Sequence, residues 1–238
     1  MEGDRRPGAT AAGGGGARRP WLAACGAVAV ALAVAAIAAP AQEGEPFRSP
    51  GGVRTGIFGL ETRGNRFVYV FDRSASMADP DGRPLAAAKR ELLRSLDELG
   101  DVQQFHVIFY NDRHQVFTPE GGRGRAVFAT EANRRAARRF VESVRPAGGT
   151  RHAEPLAAAF QLAPDAVFLL TDADAGDDLE PAEIERLVRL ADGARCMVVQ
   201  FGDGDRRSPG LADMAARCGG EYRVVSLEDA EAAARGGR

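Results

Sequence analysis

The sequence has few of the side chains that bind transition metals. Its 238 residues include only three cysteines and three histidines, and these form neither a CxxC pair nor an HExxH motif. We therefore expect no zinc site of the Cys and His type. Cys196 and Cys218 lie late in the chain, and the sequence leaves open whether they are bonded to each other.

Lysine is almost absent: Lys89 is the only one, and the other basic residues are arginine. The formal net charge is −2, so no basic excess indicates a nucleic-acid partner. Hydrophobic residues make up 45% and charged residues 27% of the chain, which is typical of a folded domain. The abundance of alanine, glycine and arginine suggests a GC-rich bacterial genome.

Charge is also absent from one long stretch, residues 21–39. As a helix this stretch would be roughly 28 Å long, enough to cross the hydrocarbon core of a bilayer. Arginines precede it and Glu43 and Glu45 follow it, so the positive-inside rule places residues 1–20 in the cytoplasm. Residues 1–20 are polar and glycine-rich, and we expect them to be disordered. The pattern predicts a single-pass protein of the cytoplasmic membrane whose C-terminal domain faces the periplasm or the cell exterior.

A cleaved signal peptide is the alternative for residues 21–39. Alanine occupies ten of the 19 positions, which makes the stretch only weakly hydrophobic, and residues 39–41 have the form of an A-x-A cleavage site. The length exceeds the apolar core of most signal peptides and favours an uncleaved transmembrane helix. The prolines and glycines of residues 40–65 then predict a linker.

Residues 66–226 alternate between strand and helix patterns. Short apolar runs rich in β-forming residues predict strands at 67–71, 105–110, 166–171, 196–201 and 222–225. Amphipathic stretches between them predict helices, one capped by Thr130 and one beginning at Pro181. Parallel strands joined by helical crossovers indicate a doubly wound, Rossmann-like α/β domain with a mostly parallel central sheet flanked by helices. Residues 227–238 are predicted to form a C-terminal helix or tail.

Polar side chains cluster at the expected carboxyl edge of this sheet. Asp72, Ser74 and Ser76 follow the first strand, Thr150 follows two glycines, and Asp172 ends the third strand. Doubly wound sheets bind ligands at the carboxyl ends of their strands, where the strand order reverses. Two carboxylates and three hydroxyls form an all-oxygen set, which suits a hard divalent cation such as Mg²⁺, Mn²⁺ or Ca²⁺.

This set resembles the metal-ion-dependent adhesion site (MIDAS) of the von Willebrand factor A (VWA) family. The family pattern is D-x-S-x-S, a distant Thr and a further Asp, and all five positions are filled in that order. The resemblance implies a VWA domain over residues 66–226. It implies that Ser74, Ser76 and Thr150 contact the metal and that Asp72 and Asp172 bind it directly or through water. One departure is Ala75, where many members have glycine.

The resemblance also implies a function. In the family, the open position on the metal is filled by a carboxylate from a partner protein. The expected function is therefore metal-dependent protein–protein interaction or assembly at the outer side of the cytoplasmic membrane, without catalysis and without catalytic residues. The expected cation is Mg²⁺, and the expected partner is a protein that offers an Asp or Glu carboxylate.

A phosphohydrolase of the haloacid dehalogenase type is the alternative function. Its strand-end D-x-D motif resembles residues 172–174, with Asp172 as nucleophile and Asp174 as acid. That chemistry needs a cationic group for the phosphate, and Lys89 lies before the motif rather than after it. The alternative also leaves the serines after the first strand unexplained.

Other polar residues near these motifs have ordinary interpretations. Asp174, Asp177 and Asp178 follow the third strand closely and are expected to form a solvated acidic loop. His152 lies two residues after Thr150 and is interpreted as a residue at the start of a helix rather than a ligand.

Overall fold

The computed structural model describes residues 52–119, 124–172, 175–203 and 207–236. The predicted N-terminal segment, residues 1–20, and the predicted membrane segment, residues 21–39, lie outside these ranges. Inside them, no helix combines the length and the apolar character needed to cross a bilayer.

A β-hairpin opens the described part of the chain. Strands β1 (Val53–Ile57) and β2 (Leu60–Gly64) pair antiparallel through a two-residue turn, Phe58 and Gly59. Both turn residues have positive φ, and such turns match the twist of the paired strands. The prediction that a linker extends to residue 65 is therefore wrong for residues 53–64.

The hairpin buries one face against the domain. Ile57 and Leu60 form one cross-strand pair on this face and Thr55 and Thr62 another, and all four are buried. The Thr55 hydroxyl also lies 2.6 Å from the hydroxyl of Ser95. Because threonine occupies half of these inward positions, the alternation of apolar and polar residues is weak, and the sequence resembles a linker.

The main sheet is built from β3 (Arg66–Asp72), β4 (Gln104–Tyr110), β5 (His114–Val116), β6 (Val127–Phe128), β7 (Ala166–Thr171), β8 (Arg195–Phe201) and β9 (Tyr222–Val225). The strand order is β5-β4-β3-β7-β8-β9, with β6 also paired to β4. Strands β4, β3, β7, β8 and β9 are mutually parallel, whereas β5 and β6 run antiparallel to β4. The predicted mostly parallel central sheet is confirmed.

The helices are α1 (Arg83–Asp97), α2 (Glu131–Ser143), α3 (Ala153–Phe160), α4 (Pro181–Ala191), α5 (Pro209–Arg217) and α6 (Leu227–Gly236). Thr130 caps α2 as predicted, because its side chain accepts a hydrogen bond from the amide of Asn133. Pro181 is the first residue of α4, also as predicted.

Both faces of the sheet are buried. In β3, Phe67, Tyr69 and Phe71 point to the face covered by α1, α2 and α6, and Val68 and Val70 point to the face covered by α3, α4 and α5. Burial on both sides explains why the central strands are almost continuously apolar. It also explains why the sequence pattern predicts them well.

The two cysteines of the domain are free thiols. Cys196 lies in β8 and Cys218 directly after α5, and both are buried. Burial raises the pKa of both thiols, that of Cys218 to about 11. Both side chains therefore act as small apolar groups of the core in this structure.

Candidate metal centre

The carboxyl ends of β3 and β7 lie side by side in the middle of the sheet. Helix α1, which follows β3, and helix α4, which follows β7, cover opposite faces of the sheet. The connections after these two adjacent strands therefore lead to opposite faces of the sheet. Doubly wound sheets bind ligands at such a point. Asp72 is the last residue of β3, and Asp172 directly follows β7.

The carboxylate of Asp72 is buried and held by both oxygens. Its Oδ1 accepts a hydrogen bond from the backbone amide of Ser74 at 2.7 Å. Its Oδ2 accepts one from the hydroxyl of Thr171 at 2.7 Å. A carboxylate oxygen can accept more than one bond, so these contacts fix the orientation of Asp72 and leave acceptor capacity for a cation.

The hydroxyls of Ser74 and Ser76 connect the two aspartates. Their oxygens are 2.9 Å apart, and Asp172 Oδ1 accepts a hydrogen bond from Ser76 at 2.9 Å and from Ser74 at 3.4 Å. Exposure increases from buried Asp72 and Ser74, through half-buried Asp172, to exposed Ser76. Four of the five predicted ligands thus form one cluster that opens toward solvent.

The fifth predicted ligand, Thr150, lies on a loop that is hydrogen-bonded to the residues directly after β3. The backbone oxygen of Gly148 accepts a hydrogen bond from the amide of Ala75 at 2.9 Å, and the amide of Ala147 donates to the oxygen of Arg73 at 2.8 Å. Thr150 is half-buried. Within the described residues, its hydroxyl makes no hydrogen bond to the other four side chains.

The electrostatics of the cluster disfavour two bare carboxylates. Burial raises the pKa of Asp72 to about 7, and the charge of Asp172 adds to this increase, although hydrogen bonds from Thr171 and Ser74 oppose it. Burial likewise raises the pKa of Asp172. None of the ion pairs found in the described ranges includes either aspartate. The guanidinium of neighbouring Arg73 donates elsewhere, to Arg145 and Asn111.

The cluster fits a divalent cation by its chemistry. Carboxylate and hydroxyl oxygens are ligands of hard cations, and a charge of 2+ offsets the mutual repulsion of two buried aspartates. In the described part of the chain, no group of three or more His, Cys, Asp or Glu side chains is arranged to bind a metal. The cluster at the ends of β3 and β7 has only two carboxylates, and its other proposed ligands are hydroxyls.

Sequence reasoning missed two residues that hold the Thr150 loop. The side chain of Asn111 donates to the backbone oxygen of Ala147, and Asp112 Oδ2 accepts a hydrogen bond from the amide of Gly149 at 2.8 Å. Both residues directly follow β4 at the carboxyl edge of the sheet. Asp72 and Asp172 also lie at the carboxyl end of a strand. The same sequence signal, a polar residue at a strand end, could therefore have identified Asn111 and Asp112.

The loop after Asp172 is not simply a solvated acidic segment. Asp178 is half-buried, and its carboxylate accepts hydrogen bonds from the amides of Gly210 at 2.7 Å and Leu211 at 3.0 Å. These amides belong to the first turn of α5, so the prediction is wrong for Asp178, which caps that helix. Asp177 is exposed, and Asp174 lies outside the described residues.

Comparison with solved structures establishes the fold. A von Willebrand factor type A protein from Catenulispora acidiphila matches with a TM-score of 0.62 and 22% identity, over 79% of this chain and 50% of that chain. The conserved hypothetical protein BatB from Bacteroides thetaiotaomicron matches with a TM-score of 0.52 and 20% identity, over 72% and 96% of the two chains. This chain has the VWA fold.

Two further matches come from the mussel and the pig. Proximal thread matrix protein 1 of the mussel byssus, solved with zinc in its MIDAS motif, has a TM-score of 0.52 and 18% identity over 71% of this chain and 43% of its own. Inter-alpha-trypsin inhibitor heavy chain H4 of Sus scrofa is 28% identical over 181 residues. The match covers 70% of this chain but only 18% of that protein. No family model matches the chain.

The VWA fold does not favour the phosphohydrolase alternative. The only lysine of the chain, Lys89, donates to the backbone oxygen of Val144 at 2.7 Å, just beyond the end of α2. Its ammonium group is therefore engaged at a helix end and is not the phosphate-binding group that a nucleophilic Asp172 would need. Asp174, the second residue of that motif, is not among the described residues.

Proposed function

We propose that this domain binds one divalent cation through Asp72, Ser74, Ser76, Thr150 and Asp172 and presents it to a carboxylate of a partner protein. One observation carries the proposal: two carboxylates from different strands meet around two serine hydroxyls, and no ion pair of the described residues offsets their charge. The VWA fold and the zinc-occupied MIDAS of the mussel protein support it.

Magnesium is the expected cation, and Mn²⁺ and Ca²⁺ are the alternatives with the same ligand preference. All five proposed ligands supply oxygen, and no thiol or imidazole belongs to the set. Zinc occupies the corresponding motif of the mussel protein, so a test of metal preference includes Zn²⁺ as a competitor.

The exposure of the cluster supports binding rather than catalysis. Ser76 is exposed, and Thr150 and Asp172 are half-buried, so the solvent side of a bound cation is accessible to a ligand from another protein. A glutamate or aspartate side chain of the partner supplies the negative charge that such a position prefers. The five side chains act as ligands, and none of them acts as a nucleophile, acid or base.

The proposed location is the outer side of the cytoplasmic membrane, with residues 21–39 as a transmembrane helix. Its support is the uncharged stretch with arginines before it and acidic residues after it. Fractionation of cells should place the chain in the membrane fraction after a carbonate wash. A mature protein that begins near Gln42 indicates cleavage, and a chain found only in the cytosol contradicts both versions.

The metal proposal is tested by thermal unfolding of the full chain with Mg²⁺ and with EDTA. A cation at 100 times its dissociation constant stabilises the folded state by about 2.7 kcal/mol, so the wild-type midpoint should rise with Mg²⁺. Asp72→Ala should abolish this response while the protein still folds, because it removes one of two charged ligands and relieves repulsion in the metal-free state. Asp213→Ala removes an exposed carboxylate on α5 and should respond as the wild type does.

Equal Mg²⁺ responses in wild type and Asp72→Ala would show that Asp72 is not a ligand. The partner is then sought by affinity purification with the full chain as bait, in Mg²⁺ and in EDTA. A protein retained only in Mg²⁺ by the wild type, and not retained by Asp72→Ala, is the expected outcome. Retention that is the same in EDTA contradicts metal-dependent binding.

A further inference from the structure

The position of Thr150 at the metal site depends on how its loop is held. Within the described residues, the Thr150 hydroxyl makes no hydrogen bond to the other four proposed ligands. Its loop runs from the end of α2 to the start of α3 without a helix or strand of its own. The hydrogen bonds that attach this loop to its neighbours therefore set where Thr150 lies relative to the other ligands.

The side chain of Arg73, which directly follows Asp72, makes one of these attachments. Its guanidinium donates from Nη1 to the backbone oxygen of Arg145 at 3.2 Å and from Nη2 to Asn111 Oδ1 at 3.3 Å. Arg145 belongs to the loop that carries Thr150, and Asn111 directly follows β4. One side chain therefore joins three segments at the carboxyl edge of the sheet.

Asn111 strengthens this connection. Its side-chain amide donates to the backbone oxygen of Ala147. The amide of Ala147 in turn donates to the backbone oxygen of Arg73 at 2.8 Å. Arg73 and Asn111 are thus bonded to each other and to the same short stretch, residues 145–147, which lies just before Thr150.

The guanidinium of Arg73 occupies this place although one of its donors has no acceptor. Within the described residues, Arg73 Nε is buried without a hydrogen-bond partner, and no ion pair includes Arg73. A buried donor without an acceptor lowers the free energy of unfolding. A gain in stability is therefore a weak explanation for this placement, and attachment of the loop is a stronger one.

We propose that Arg73 is a positioning residue of the metal site: its guanidinium holds residues 145–147 and so sets where the Thr150 hydroxyl meets the cation. The inference rests on the proposed function. Its physical basis is that groups which orient metal ligands do so without touching the metal, and that their removal commonly weakens metal binding 10–100-fold. The D-x-S-x-S pattern leaves the residue after Asp72 unspecified, so the pattern does not identify Arg73.

The opposite end of β3 offers a matched control. Arg66, the first residue of this strand, is also half-buried. Its guanidinium likewise joins a side-chain amide and a loop, because it donates to Gln104 Oε1 at 2.7 Å and to the backbone oxygen of Leu162 at 3.0 Å. Methionine at either position removes the guanidinium and keeps an unbranched apolar stem. Arg66→Met and Arg73→Met should therefore lose similar stability, but only Arg73 lies beside the metal site.

The test measures Mn²⁺ binding to the full chain at constant pH by electron paramagnetic resonance, with thermal melts in EDTA as the stability readout. Arg73→Met should bind Mn²⁺ 10–100-fold more weakly than wild type, whereas Arg66→Met should bind it equally well despite a similar shift in midpoint. Arg73→Lys keeps the charge and a donor but lacks the planar fork, so its affinity should lie between those of wild type and Arg73→Met.

A double-mutant cycle tests whether Arg73 acts through Thr150. Thr150→Ala removes the hydroxyl that Arg73 is proposed to position, and it should itself weaken Mn²⁺ binding. In the Thr150→Ala background, Arg73→Met should then lower the affinity for Mn²⁺ no further. A loss of the same size in both backgrounds overturns the inference, because the effect of Arg73 then does not pass through Thr150.

The outcomes separate this inference from the proposed function. Wild-type affinity in Arg73→Met overturns the positioning role and leaves the metal site intact. Equal losses of affinity in Arg66→Met and Arg73→Met also overturn it, because a general loss of stability then explains both. If wild type itself fails to bind Mn²⁺, the proposed function fails and the positioning role fails with it.

Discussion

Asp112 Oδ2 accepts a hydrogen bond from the amide of Gly149 at 2.8 Å, and this contact joins the loop after β4 to the loop that carries Thr150. The approach is so close that a side chain on either glycine before Thr150 would press against the side chains that hold the loop. A Cβ on Gly148 would lie 2.6 Å from Asn111 Nδ2 and 2.7 Å from Asp112 Oδ2. A side chain at either of the two glycines before Thr150 would therefore displace the end of Asp112, and at Gly148 also the end of Asn111.

Gly148→Ala should weaken metal binding more than it weakens the fold. The substitution adds a Cβ at φ +79° and displaces the ends of Asn111 and Asp112, which frees the Thr150 loop. Gly219→Ala is the control, because Gly219 has φ +63° and nothing within 4 Å of its Cβ position. Both variants should lose about 1–2 kcal/mol from the left-handed backbone, but only Gly148→Ala should lose affinity for Mg²⁺. Isothermal titration beside urea denaturation measures both quantities.

Asp178→Ala should destabilise the start of α5. The carboxylate satisfies two amides of the first helical turn, and loss of such a cap typically costs about 0.5–2 kcal/mol. Asp178→Asn keeps one acceptor oxygen and should lose less. Urea denaturation measures the change in unfolding free energy, and hydrogen exchange at Gly210 and Leu211 locates it. Unchanged exchange at these two amides in Asp178→Ala would contradict the capping role.

The domain should lose stability in mild acid through His106. Burial lowers the pKa of His106 from 6.5 to about 4, against the opposing effect of its hydrogen bond to the backbone oxygen of Arg125. As the pH falls, His106 therefore takes up a proton in the unfolded chain before it does so in the folded domain. The contribution of His106 to the free energy of unfolding is complete above pH 6.5 and is lost as the pH falls toward 4. At pH 5 the loss is about 2 kcal/mol for a shift of this size. His106→Gln should show a shallower fall between pH 7 and pH 5 in urea denaturation, and an equally steep fall would contradict the assignment.

A truncated chain that begins at Arg66 should be markedly less stable than one that begins at Gly52. The shorter chain lacks the hairpin, whose Ile57 and Leu60 are 0% and 1% exposed. Full burial of each such side chain contributes about 1.5–3 kcal/mol, so their joint loss is a large part of the stability of an ordinary domain. Thermal melts of the two truncated chains measure the difference. Equal midpoints would mean that the domain begins at Arg66, as the sequence pattern predicts.

The fold was predictable where local signals and global packing agree. Strands β3 and β7 are buried on both faces, so their apolar runs are unambiguous, and Thr130 and Pro181 mark helix starts by local backbone chemistry. The hairpin was not predictable, because half of its inward positions hold threonine. The role of Asp178 was hidden for a related reason: the amides that it caps lie more than 30 residues further along the chain.

The sequence by itself determined the candidate ligands, and the tertiary structure decided how they meet. Asp72, Ser74 and Ser76 are two residues apart, so any tight turn after the strand brings their oxygens together. The bond from Ser76 to Asp172 crosses 96 positions, and it exists because β3 and β7 are adjacent and in register. Contacts of this kind depend on strand order and on helix packing against the sheet, which leave no local periodicity in the sequence. The hydrogen bond between Tyr110 and His152 belongs to this second class, and only the folded domain reveals it.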